Sequence, residues 1–354
     1  MSDLIQFLSD RDSSPWADLV GFVPDEIERE VKRANTADLL LTAGERQAVV
    51  EVKVGHLMDP KQQEKYETLK SKPDLYFAAL EFDRGRLATD SERWSFLSLI
   101  DLVSRWTDRG DDLARLVAEE AAQILREWDE KIFGVFASRN SGHQLPLNVL
   151  DQKFLARVVT RRIAEDLKAR GRLAWAGVTS GGGLPLVQAW TPVRDEGNDR
   201  TFMAEVRWWE TKPGGELRFG VDFDPRPDGE EDEEVRRAAY DLARSMESVI
   251  QFSTLKEHLT KVATSLAELL HRDTPSRPPA KGDWERVMVH GFKGTPLPNG
   301  KKHTRKQTTP DFFGDGALRF QAITEIDFDQ AAALDLVDLI DSTLSYLSAR
   351  QPES

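Results

Sequence analysis

Cysteine is missing altogether from this 354-residue chain, and its absence excludes disulfides, zinc–thiolate centres and cysteine nucleophiles together. Histidine is scarce: six are scattered along the sequence, and no pair has the spacing of metal ligands. No stretch approaches the ~18 uninterrupted apolar residues of a membrane span. The opening Met1-Ser2-Asp3-Leu4-Ile5-Gln6 has neither the basic start nor the apolar core of a secretory leader. A cytoplasmic protein with no membrane partner is the expectation. Positive charge is also short, 48 Lys and Arg against 61 Asp and Glu for a net charge of −13. That balance argues against broad, nonspecific wrapping of a polyanion, because phosphate affinity comes from Lys and Arg.

What is present describes an ordinary globular chain, 40% hydrophobic and 31% charged, long enough for two domains. Ser138 to Pro146 is rich in Ser, Gly and Asn and makes the best border, separating residues 1–137 from 147–354. Ahead of it the pattern predicts short helices at Leu4–Leu8 and Trp16–Phe22 and a strand at Ile27–Lys32. A hairpin follows, then a helix opened by Asp59-Pro60, a strand at Leu75–Leu80 and an amphipathic helix from Trp94 to Trp106. A longer helix runs from Asp111 to Phe136, with Leu113, Leu116, Val117, Ala121, Ile124 and Leu125 as its apolar stripe.

The hairpin is the most informative stretch. Asp38-Leu39-Leu40-Leu41-Thr42 and Gln47-Ala48-Val49-Val50-Glu51-Val52-Lys53-Val54 flank a glycine-containing turn. With the turn centred between Gly44 and Glu45, Asp38 lies across from Glu51, Cβ atoms roughly 4.5–5.5 Å apart. Lys53 shares the face of Glu51 because strand side chains alternate. Like charges facing each other on paired strands are destabilising, and a carboxylate is costly to bury unless paired or bound to metal. A hard divalent cation such as Mg²⁺, held by one or two carboxylates and waters, resolves the conflict. A Lys53 salt bridge on a solvated face is the plainer alternative.

These residues resemble the PD-(D/E)XK, or restriction-endonuclease-like, nuclease superfamily. Asp38 matches the first acid and Glu51-Val52-Lys53 the E-x-K, and Gln62 with Tyr66 looks like the Q-x-x-x-Y helix of several branches. Ala37 stands where the motif's proline would be. The resemblance covers roughly residues 1–100. It implies an αβββαβ core and an Mg²⁺-dependent endonuclease or exonuclease, with Mn²⁺ able to substitute. It also implies a nucleic-acid substrate, DNA favoured over RNA, and an association with bacterial restriction or anti-phage defence. Asp38, Glu51 and the Val52 carbonyl would hold the metal, Lys53 would complete the catalytic set, and Gln62 and Tyr66 would support it. Glu30, Glu28, Glu26 and Asp18 compete to supply a further acid, with Glu30 the metal-ligand candidate. A non-catalytic module that keeps the nuclease fold, binding nucleic acid or assembling with a protein, is the alternative.

Beyond the border the pattern predicts a helix at Val149–Arg170 and an antiparallel meander of strands at Leu173–Val178, Pro185–Pro192, Thr201–Glu210 and Glu216–Phe223. Helices at Glu231–Ile250 and Thr254–His271, strands at Trp284–His290 and Ala317–Ile326, and a closing helix complete it. The fold class is therefore α+β throughout, the second domain serving recognition of substrate or a protein partner. Its two densest basic clusters, Arg157, Arg161 and Arg162 on the helix and Lys301, Lys302, Arg305 and Lys306 in a loop, are the candidate nucleic-acid contacts.

Overall fold

Gly44 takes a φ of 58° in the computed structural model, at the first central position of a two-residue turn, where a type II′ hairpin places glycine. The turn joins β2 (Ala37–Ala43) to β3 (Arg46–Lys53), and Leu39 faces Val50 across it. That register is the one the sequence predicts. The structure describes residues 1–31, 37–56, 58–85, 92–150, 153–179, 182–194, 200–210, 214–223, 231–271, 308–309, 312–314 and 319–352. The chain divides into two compact units, Met1–Gly134 and Val135–Ser354, a little ahead of the Ser-Gly-Asn stretch.

In the first unit, α1 (Ser2–Ser9) and α2 (Trp16–Val20) precede β1 (Glu26–Val31) and the hairpin. The helix α3 (Pro60–Glu67) follows, with Asp59 capping it through a bond from the Lys61 N–H. Strand β4 (Asp74–Ala79) then runs parallel to β3, and β5 (Trp94–Ser98) parallel to β4. The five strands lie in chain order, β1 to β3 antiparallel and β3 to β5 parallel. Both faces are covered: Leu40, Val49, Leu75 and Phe77 pack with Tyr66 of α3, while Leu39, Leu41 and Val50 are buried on the other side.

Two expectations for this unit need correction. The stretch from Trp94 to Trp106 is not one helix but β5 followed by α4 (Leu99–Ser104), capped by Ser98. Trp94 and Phe96 alternate onto one face, so a period of two wins until the serine interrupts it. In α5 (Asp112–Phe136) the buried face carries Ala114, Ala118, Ala122, Leu125 and Ile132, whereas Leu113, Leu116 and Ile124 are exposed. Small side chains at helical spacing let the helix approach its neighbours closely, and ranking residues by hydrophobicity alone picks the wrong stripe.

The second unit carries α6 (Lys153–Ala169) and the meander β6 (Leu173–Val178), β7 (Pro185–Pro192), β8 (Arg200–Trp208) and β9 (Gly215–Phe223), antiparallel throughout. Next come α7 (Glu231–Ser245), α8 (Phe252–Val262) and α9 (Thr264–Glu268), where two longer helices were expected. The short strands β10 (Leu270–His271), β11 (Thr308–Thr309) and β12 (Phe312–Gly314) lead to β13 (Arg319–Ile326), which pairs with β9. The strand expected at Trp284–His290 lies outside the described residues. The closing helix α10 (Ala333–Ala349) buries Val337, Ile340, Leu344 and Leu347, as its periodicity predicts. One face of the sheet, with Val187, Ala204, Phe219 and Phe320, is apolar, and α6, α7 and α10 pack against its strands.

Candidate active site

Glu51 sits near the end of β3, 1% exposed, among valines. A carboxylate so placed needs donors, and three reach it. Gln62 Nε2 donates to Oε1 at 2.7 Å, Tyr66 Oη donates to Oε2 at 2.8 Å, and the Lys53 ammonium bonds Oε1. Gln62 and Tyr66 both come from α3 and touch each other at 3.2 Å, because residues one helical turn apart share a face. Both residues named in the sequence analysis thus bond Glu51.

Asp38 is placed differently. The backbone ladder is recorded up to Leu39 and Val50, and beyond it the Asp38 side chain takes over, its Oδ2 accepting the Val52 N–H at 2.8 Å. Burial first, and then the charge of Glu51, push the Asp38 carboxyl above the usual carboxylate range. Two acids thus share one lysine, and the lysine bonds Glu51. The Lys53 charge and that of the N-terminal ammonium reach Asp38 only through space, with no bond from a cation among the described residues. Tyr66 is also shifted upward, by burial and then by the Glu51 carboxylate that its hydroxyl faces.

Glu30 does not join this pair. The ladder of β1 and β2 would bring it beside Asp38, but Glu30 has a left-handed φ of 51° and drops out of the pairing, and its side chain is exposed. Among the described residues no three His, Asp or Glu side chains gather for a metal. Asp18 is engaged elsewhere, with Arg109 at 3.2 Å. The donors that the geometry brings together are the carboxylates of Asp38 and Glu51. They fit Mg²⁺, which binds through one or two carboxylates and keeps several waters.

The second unit concentrates charge on the other face of its sheet, a feature the sequence reading missed. Glu205, fully buried, takes bonds from Arg207, Gln188 and Arg319, the last at 3.3 Å. Arg319 also holds Asp222 at 2.9 Å, and Trp190 Nε1 donates to the same carboxylate at 3.0 Å. The signal was legible as charges at every second position of β8 and β9: Glu205 and Arg207, then Glu216 and Arg218.

The basic helix is corrected too. Arg162 is 0% exposed, on the same helical face as Leu155, Val158, Val159 and Ile163, so it points into the unit and cannot serve a polyanion. Arg157 donates to the Gly183 carbonyl at 3.0 Å and so pins the glycine turn between β6 and β7. Arg161 is partly buried, its guanidinium shifted downward by burial and by the neighbouring Arg162 and Arg157 charges. Lys301, Lys302, Arg305 and Lys306 lie outside the described residues. No protein-family model, curated protein or solved structure matches the chain. Among the described residues no helix is long and apolar enough to cross a membrane.

Proposed function

We propose that the first unit is a metal-dependent phosphodiesterase acting on nucleic acid, with DNA the first substrate to test. The observation that carries the reading is the meeting of Asp38, Glu51 and Lys53 at one end of β3, with Gln62 and Tyr66 both bonded to Glu51. Mg²⁺ bound there supplies Lewis-acid polarisation of the scissile phosphate and a bound water of lowered pKa. Asp38 and Glu51 supply its anionic oxygens, and the Val52 carbonyl a neutral one. Gln62 and Tyr66 fix the Glu51 carboxylate so that it does not reorganise as charge develops. Lys53 orients the attacking water and balances the charge that grows on the phosphate oxygens.

The wild-type chain incubated with plasmid, single-stranded DNA and RNA, each with Mg²⁺, Mn²⁺ or EDTA, tests the proposal. Cleavage of at least one substrate with metal, and none with EDTA, is expected. Binding without cleavage of any substrate would point instead to a nuclease fold serving as a binding or assembly module.

A further inference from the structure

The carboxylate Glu51 is held by Tyr66, and Tyr66 is itself held by a contact made across the sheet. Trp94 opens the edge strand β5, and its indole N–H donates to Glu67 Oε1 at 2.9 Å. Glu67 is the last residue of α3, and the same oxygen accepts from Gln63 Nε2 at 3.1 Å. Gln63 is 1% exposed and Trp94 7%. The Trp94 ring stands edge-on to Tyr66, centroids 5.9 Å apart at 65°. Tyr66, beside Glu67, and Gln62, a turn nearer the start of the helix, reach Glu51.

We infer that Trp94 and Glu67 form a clamp that sets the position of α3 along the sheet and thereby holds the Tyr66 hydroxyl on Glu51. An eight-residue helix is too short to persist on its own, so tertiary contacts must fix its place. Of its eight residues only Gln63 and Tyr66 are buried. The clamp engages one of these through Glu67 and packs a ring on the other. Losing the indole N–H loosens the final turn, which keeps the Arg93 guanidinium on the Glu67 carbonyl, and leaves the Glu67 carboxylate with one donor fewer. A small displacement of α3 moves Gln62 and Tyr66 together, because both ride on it. Trp94 and Glu67 are positioning residues: neither bonds to Glu51.

The inference rests on the proposed function only where metal is read, and its test has a reading that does not. Trp94→Phe keeps an aromatic ring at the position, smaller than the indole, and deletes the donor. Trp16→Phe makes the same change at a fully buried indole whose N–H donates to Ser9 Oγ at 2.9 Å, away from α3. Both variants should lose thermal stability in EDTA by a comparable amount. Only Trp94→Phe should weaken Mn²⁺ binding, about 10-fold by calorimetry, as loss of support around a ligand typically does. Glu67→Gln, which keeps an acceptor oxygen, should restore most of what Glu67→Ala loses. At neutral pH the ¹³Cζ shift of Tyr66, assigned by its disappearance in Tyr66→Phe, should move toward that of a solvated tyrosine in Trp94→Phe and stay fixed in Trp16→Phe. An unchanged Tyr66 shift in Trp94→Phe overturns the clamp whatever the metal does. A moved shift in a chain that binds no Mn²⁺ upholds the clamp and removes the metal reading instead.

Discussion

Each unit buries acidic side chains on a β-sheet, and the two treat them in opposite ways. In the second unit every acid of the cluster has a cation: Glu205 has Arg207 and Arg319, and Asp222 has Arg319. In the first, Asp38 and Glu51 have one lysine between them, and it sits on Glu51. Among the described residues no cation bonds Asp38: its oxygen takes a backbone N–H, and the Lys53 and N-terminal charges act on it only through space. Buried charge by itself therefore says little about function. An unbalanced group of buried charges, held in place by neutral donors, is what asks for an exogenous cation.

The contrast is sharpest when one partner is removed from each cluster. Arg319→Ala takes the cation from Asp222 and leaves Glu205 with Arg207, and should cost the second unit about 3–5 kcal/mol, the usual penalty for breaking a buried pair. Denaturant melting would measure it. Asp38→Asn keeps an acceptor for the Val52 N–H and removes a like charge, so it should leave the first unit as stable or more stable in EDTA. A large loss of stability in Asp38→Asn would make the two clusters equivalent and erase the distinction.

The neutral donors give the next effect in size. Gln62→Ala and Tyr66→Phe should each cost roughly 10–100-fold in metal affinity or cleavage rate, with the chain still folded. Titration with Mn²⁺ and a thermal melt in EDTA separate the two contributions. Equal affinity in wild type and both variants would mean that the donors merely satisfy a buried carboxylate.

A smaller effect comes from an acid that neither cluster claims. Asp129 of α5 accepts the Phe82 N–H at 3.1 Å, and burial raises its carboxyl to about 6. Because the folded value lies above an ordinary carboxylate's 3.8, the folded chain binds the extra proton, so stability falls as pH rises from about 4 to about 6. Asp129→Asn keeps the acceptor and should remove that dependence. Its melting temperature should match wild type near pH 4 and exceed it at pH 7. Parallel pH profiles would show that Asp129 titrates like an exposed acid.

The first unit was legible in sequence because its signals are local. A glycine turn between valine- and leucine-rich flanks sets the register, and the register places Asp38 by Glu51 without knowledge of anything distant. Gln62 and Tyr66 were singled out by the resemblance to the Q-x-x-x-Y helix, and helical spacing after the Asp59-Pro60 start put them on one face. Glu30 was harder, because a single left-handed residue cancels what strand alternation implies. In the second unit the alternating charges of β8 and β9 were readable, but not their meeting with Arg319, which comes only through the pairing of β8, β9 and β13, far apart in the chain. Arg162 was a readable miss: its spacing from Val158 and Val159 already put it on the buried face, and its charge was allowed to outweigh its position.

The most direct measurement is Mg²⁺-dependent cleavage by wild type, Asp38→Asn and Lys53→Ala, side by side, on whichever nucleic acid the wild type cuts. Asp38→Asn should melt within a few degrees of wild type in EDTA, and Lys53→Ala should melt lower but still cooperatively, because the buried Glu51 loses its cation. Asp38→Asn should fail to cleave because a ligand carboxylate is gone, and Lys53→Ala because no cation orients the water. Cleavage at the wild-type rate by either folded variant would contradict the assignment of the unbalanced carboxylate pair as a catalytic metal site.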